Sequence, residues 1–126
     1  MGKLFDNSID VLGKSLDGYL LRHDVISDNI ANAETPGFKA RRVDFETALQ
    51  RAVESEQSGT ANNLDSVRPT IYEDPYSEEG QDLNTVDMDR EMAAMNKNDV
   101  KYSASSQAIS RKFALLRYAI SEGSEK

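Results

Sequence analysis

Residues 27–38 read SDNIANAETPGF, and they decide how the chain is organised. Ile30 and Ala33 close a run of apolar residues at helical spacing, while Asn29 and Asn32 lie one turn apart on the adjoining face. Thr35 precedes a proline and is pushed toward extended backbone, so the helix is expected to stop near Ala33 or Glu34. Pro36 and Gly37 occupy the second and third places of a type II turn, of which only the third needs positive φ. The chain then reverses, delivering Phe38 as an anchor and KARR as a basic patch. The expectation is a rigid joint made of Asn29, Ile30, Asn32, Thr35, Pro36, Gly37 and Phe38. Its amides would bridge the last helical carbonyls to the reversing backbone, or to the same junction in a neighbouring subunit. None of these groups is suited to catalysis.

Upstream of the joint, Phe5, Ile9, Leu12, Leu16, Tyr19, His23, Ile26, Ile30 and Ala33 alternate steps of four and three. This heptad repeat places them on one narrow stripe that calls for a partner helix. Gly13 and Gly18 fall off the stripe and weaken the isolated helix by roughly 1 kcal/mol each. At the other end Met88, Met92, Met95, Asp99, Tyr102, Ser106, Ile109, Phe113, Leu116 and Ile120 follow the same alternation, with Asp99 and Ser106 as polar interruptions. The two seams are of similar length, about 45–55 Å at the helical rise. They can satisfy one another as an antiparallel hairpin or satisfy neighbouring copies.

Between the two helices, VDFETALQRAVE reads as a short helix with Asp44 as N-cap and Phe45, Leu49 and Val53 as its apolar face. Residues 54–85 carry two prolines and two glycines and no sustained period. They read as a long loop, either disordered or ordered by another chain, with PTIYEDPY the part expected to be extended and docked. The expected fold is therefore all-α and elongated: long N- and C-terminal helices paired as a coiled-coil-like antiparallel hairpin, a short extra helix, and a long irregular central loop. The divisions are residues 1–34, 35–54, 55–85, 86–121 and a tail at 122–126.

Composition narrows the function. A chain of 126 residues with nine aromatics has room for one small core. It has no cysteine and one histidine, which removes thiolate sites and limits acid–base chemistry. The net charge of −7 is uneven: Lys and Arg against Asp and Glu stand at 6 to 8 in residues 1–50, 2 to 8 in 51–85 and 7 to 6 in 86–126. An acidic centre between near-neutral ends suits termini that pack on other protein, and without a basic stripe nucleic acid and anionic membrane are poor partners. The N-terminal region has no apolar run long enough for a signal-peptide core or a membrane span, so any export is expected to use another route.

DNIANAETPGF resembles the N-terminal signature of the axial proteins of the bacterial flagellum, the rod, hook and related basal-body proteins. NTVDMDREM and KYSASSQAISRKFALLRYAI are similar to the C-terminal region of the proximal rod proteins within that family. The resemblance spans roughly residues 1–54 and 84–121. It implies a structural subunit without enzymatic activity or cofactor, exported unfolded by the flagellar type III apparatus without a cleaved signal and added to a helical tube that crosses the periplasm. The implied partners are further copies of the chain, FlgC-like and distal rod subunits, FliE, the MS-ring protein and the export gate. No direct membrane insertion is implied. The seam residues Ile9, Leu12, Leu16, Ile26, Met92, Tyr102, Ile109, Phe113, Leu116 and Ile120 would make the contacts.

Competing readings are weaker. Asp87, Asp89 and Glu91 alternate in VDMDREM but lack the glycine and final glutamate of a calcium loop, and read as an acidic helix start. His23 on the first seam reads as an interface residue. Ser103, Ser105, Ser106 and Ser110 have no base beside them in the sequence. KFALLRY could form a basic membrane-surface helix, but its apolar residues continue the seam. The alternative function is a soluble helical-hairpin adaptor or export chaperone that binds another protein's helix.

Overall fold

The computed structural model describes residues 2–57 and 64–124, with side chains from Ser8 to Gly123. The side chain of Phe5 in the first seam, and residues 58–63 of the central loop, lie outside what is described. In chain order the elements are α1 (Gly2–Ala31), β1 (Arg41–Asp44), α2 (Glu46–Gln57), a 3-10 turn (Leu64–Ser66), β2 (Thr70–Glu73) and α3 (Met88–Ser124). No described helix is long and apolar enough to cross a membrane.

The two long helices pack together and run antiparallel. Asn29 near the end of α1 meets Glu91 near the start of α3, and about two helical turns further along α3 the Asn98 amide donates to the Tyr19 carbonyl at 2.8 Å. The all-α expectation needs correcting, because the region read as irregular loop supplies half of a two-stranded antiparallel sheet. Arg41, Arg42, Val43 and Asp44 stand opposite Glu73, Tyr72, Ile71 and Thr70. The strands are short, and every β2 side chain is exposed, so the period-two alternation that reveals a half-buried strand is missing.

A small core forms where α1, β1, α2 and the 3-10 turn meet: Val25, Val43, Phe45, Leu49, Ala52 and Leu64 are buried together. α2 starts where Asp44 caps it, its carboxylate accepting from the Thr47 N–H at 3.2 Å and the Thr47 hydroxyl at 2.9 Å. Phe45 is the hub. Tyr19 meets its ring edge-on with centroids 5.1 Å apart, and the Arg22 guanidinium stands 4.9 Å from the ring centroid. Gly18 makes this approach possible, because a Cβ there would come within 2.4 Å of the Phe45 ring. The glycine that weakens the isolated helix is thus the groove into which the core aromatic fits.

The register of α3 differs from the expected seam by one residue on one flank. The side turned toward the rest of the molecule runs through Glu91, Met95, Asn98, Tyr102, Ser105, Ile109, Lys112 and Leu116. Glu91 and Asn98 are buried, while Met88, Met92, Phe113 and Ile120 are exposed and Asp99 is largely so. The reason is that buried polar partners exist: Arg42 and Asn29 await Glu91, and the Tyr19 carbonyl awaits Asn98. Facing these polar groups inward turns half of the apolar stripe outward. His23 likewise leaves the interface and sits at its rim, with Nδ1 3.5 Å from Asp99 Oδ1.

Candidate functional site

The corner after α1 is held by a dense set of hydrogen bonds. α1 ends at Ala31, and successive tight turns carry the chain through residues 32–35. The Phe38 N–H donates to the Thr35 carbonyl at 3.2 Å, and Gly37 has φ of +75°, the values of a type II turn. Thr35, Pro36 and Gly37 stay exposed, whereas Phe38 is half-buried. The Asn32 amide donates to the Asp28 carbonyl at 2.8 Å, and its oxygen accepts from the Thr35 hydroxyl at 3.1 Å. A side chain here replaces the next helical turn.

Asn29 is fully buried and works as a piece of backbone. Its Oδ1 accepts from the Arg41 N–H at 3.0 Å, and its Nδ2 donates to the Arg41 carbonyl at 2.9 Å, so the amide pairs with β1 as a strand residue would. The same Nδ2 donates to Glu91 at 3.0 Å. Glu91 in turn receives Arg42 through both guanidinium nitrogens, at 2.9 and 2.7 Å. Arg42 Nε reaches Asp74 at 3.0 Å, and Arg90 reaches the same carboxylate at 3.0 Å. One charged cluster therefore clamps α1, β1, the end of β2 and the first turn of α3.

The electrostatics follow from that packing. Hydrogen bonding to Glu91 raises the Arg42 pKa against the opposing effect of its burial, and the Asp74 charge adds to the rise. Burial pushes the Asp74 carboxyl up, but the Tyr76 N–H, Ser77, Arg42 and Arg90 together bring it below the ordinary carboxylate range.

A second strap comes from residues just before α3. Asn84 donates through Nδ2 to the carbonyls of Asn32, at 2.8 Å, and Thr35, at 2.7 Å. The Gly37 N–H donates to the Asp82 carbonyl at 2.9 Å, the Thr85 N–H to the Phe38 carbonyl at 3.0 Å, and the Ala40 N–H to the Thr85 hydroxyl at 2.8 Å. Leu83, with φ of +66°, turns the strap back, and its carbonyl accepts from Lys39 at 2.7 Å. Asp87 caps α3 through the Asp89 N–H at 3.0 Å.

Of the joint residues expected from sequence, the structure brings Asn29, Asn32, Thr35, Gly37 and Phe38 into this network through side chain or backbone. Ile30 packs half-buried beside it and Pro36 forms the exposed corner. Sequence reading missed Arg42, Asp74, Asn84, Thr85 and Glu91. Their one local signal was the polar NTVD before the helix, which a capping motif explains without revealing that Asn84 reaches back across the fold. Among the seam residues, Ile26 is buried; Ile9, Leu12, Leu16, Tyr102, Ile109 and Leu116 are half-buried; Met92, Phe113 and Ile120 are exposed. Among the described residues no group of three or more His, Asp or Glu side chains could hold a metal ion. The arrangement fixes an angle between elements; it does not assemble a nucleophile and base.

The profile of the family described as flagella basal body rod protein matches residues 20–39, from the last turns of α1 through the Pro36-Gly37 corner. The chain is 34% identical over 124 residues to the flagellar basal body rod protein FlgB of Aeromonas hydrophila, covering 92% of this chain and 94% of that protein. It is 36% identical over 115 residues to FlgB of Borrelia hermsii, covering 79% and 85% respectively. With FlgB of Bacillus subtilis it shares 29% identity over 131 aligned positions, 95% of this chain and 98% of the relative.

Proposed function

The chain belongs to the flagellar basal body rod protein FlgB family, and from that premise we propose how it builds the proximal rod. It is a structural subunit of the basal body rod that assembles with other rod and basal-body proteins, and it is not an enzyme. The joint's role is to hold α1, the two-stranded sheet and α3 as one body, so that exposed apolar side chains of α3 are presented at a fixed angle to neighbouring subunits. The observation that carries this reading is the far half of α3. Phe113 and Ile120 on one face, and Leu115 and Tyr118 on the opposite face, are all about half exposed or more, Ile120 reaching 72%. Apolar side chains repeated along one helix in this state call for burial by another surface.

In this reading, Met88 and Met92 at one end and Phe113 and Ile120 at the other contact different neighbours. Contacts between unlike surfaces extend into a filament when the rotation between copies does not close. The neighbours include further copies and FlgC-like and distal rod subunits, with FliE, the MS-ring protein and the export gate at the base. Export proceeds unfolded through the flagellar type III apparatus, without removal of a signal. The test is Phe113→Asp combined with Ile120→Asp: loss of the chain from isolated basal bodies with export into the periplasm retained supports the reading, and normal incorporation contradicts it.

A further inference from the structure

A cleft of about 310 Å³ opens between β1 and α3, away from the joint's exposed corner. Its floor includes Val25, Ile26 and Ala94; Lys97 and Lys101 stand on its α3 side, and the two carboxylates that also line it are engaged, Asp44 by Thr47 and Glu46 by Arg22. Neither lysine has an ion-pair or hydrogen-bond partner among the described residues, whereas the nearby Arg22, Arg41 and Arg42 are each paired with carboxylates. An apolar floor beside a cationic edge describes a seat for an aromatic side chain followed by a carboxylate.

The molecule displays such a group elsewhere on its surface. After β2 the chain turns at Pro75, and Tyr76 is 82% exposed, more than any other large apolar side chain described. Glu78 follows it, exposed and without an ion pair among the described residues, in the segment where acid outnumbers base eight to two. The corner is already fixed: Asp74 holds the Tyr76 N–H at 2.9 Å, Arg90 donates to Ser77 Oγ at 3.2 Å, and Lys39 holds Glu79 at 2.7 Å. A rigid corner loses little conformational freedom on docking.

We infer that the Tyr76–Glu78 corner of one copy of this chain docks in the Lys97–Lys101 cleft of the next copy. The ring covers the apolar floor and the Glu78 carboxylate lies between the two lysines. Donor corner and acceptor cleft are different surfaces, so the contact is head-to-tail and can repeat along a helical assembly. The inference rests on the reading of the chain as a self-assembling rod subunit, and adds which surfaces of two copies meet.

The test places a photoreactive group at the corner, Tyr76→benzoylphenylalanine, in otherwise intact chain within flagellated cells, with irradiation before basal bodies are isolated. The expected product is a covalent dimer of this chain whose acceptor peptide maps to residues 94–101. Lys97→Glu with Lys101→Glu is expected to lower the dimer yield about tenfold through like-charge repulsion, and adding Glu78→Lys to restore most of it. Circular dichroism of each purified variant confirms that the fold is retained. Adducts only with another protein, or only outside residues 94–101, overturn the inference, as does an undiminished yield in the lysine double variant. If the chain is present in basal bodies and yields no dimer, the docking fails while the rod reading stands; if the chain is absent from basal bodies, both fail.

Discussion

Glu91→Gln tests the clamp most sharply, because it changes one atom of a fully buried group. The carboxylate accepts three hydrogen bonds, two from Arg42 at 2.9 and 2.7 Å and one from Asn29 at 3.0 Å. A glutamine has one acceptor oxygen, so its amino group faces the Arg42 guanidinium in either orientation, donor against donor, and in one of them the Asn29 amide as well. Breaking a buried ion pair from one side costs about 3–5 kcal/mol. The lower end applies here, since the Arg42 side chain is 19% exposed and keeps Asp74 at 3.0 Å. With an unfolding entropy of about 2.1 cal/mol/K per residue, a loss of about 3 kcal/mol lowers the melting temperature by about 11 °C. The assay is thermal and urea unfolding followed by helical circular dichroism, with the urea midpoint expected to fall and its slope to stay unchanged. A shift under about 3 °C would refute the claim that this cluster joins the ends of the chain.

Two glycines in α1 should respond oppositely. Gly18→Ala sets a methyl against the Phe45 ring and should destabilise by about 1–2 kcal/mol after the helix-propensity gain, whereas Gly13→Ala, with nothing within 4 Å, should stabilise by up to about 1 kcal/mol; urea titrations compare them. Gly37→Val puts a β-branched residue at φ of +75° and should cost about 1–3 kcal/mol and exclude the chain from basal bodies with export retained, read by fractionation and swimming assays. Asp74 has a folded pKa below its unfolded value of about 3.9, so its contribution is complete above that value and disappears as the pH falls through the lower folded one. Asp74→Asn should therefore lower stability at neutral pH and flatten the loss of stability below about pH 4, measured as melting temperature against pH.

The long helices were legible because a four-three alternation of apolar residues sustained over many turns matches the helical period and not that of a strand. The face that α3 turns inward was not. Met92 and Glu91 are neighbours in sequence, and any hydrophobicity rule buries the methionine. What buries Glu91 is Arg42, 49 residues away, and Asn29, 62 residues away. The joint was legible as a turn from Pro36-Gly37 alone, and the need for amide partners from the paired asparagines. That Asn29 pairs with the Arg41 backbone follows from the position of β1, and RRVD, with a single apolar residue, carries no strand pattern of its own. Its partner strand TIYE is exposed throughout, so burial leaves no imprint on its pattern. Gly18 shows the same limit in reverse: in the sequence it is a defect of the helix, and only the position of Phe45 supplies its reason.

In the assembled rod, the outward stripe of α3 is expected to be covered by neighbouring subunits, and the rest of the functional reading depends on that. A density map of the isolated basal body at side-chain detail measures it directly. The expected map holds this chain in the proximal rod, with Phe113 and Ile120 enclosed by adjacent subunits and the Pro36-Gly37 corner unchanged. Finding those side chains open to solvent in the assembled rod would contradict it.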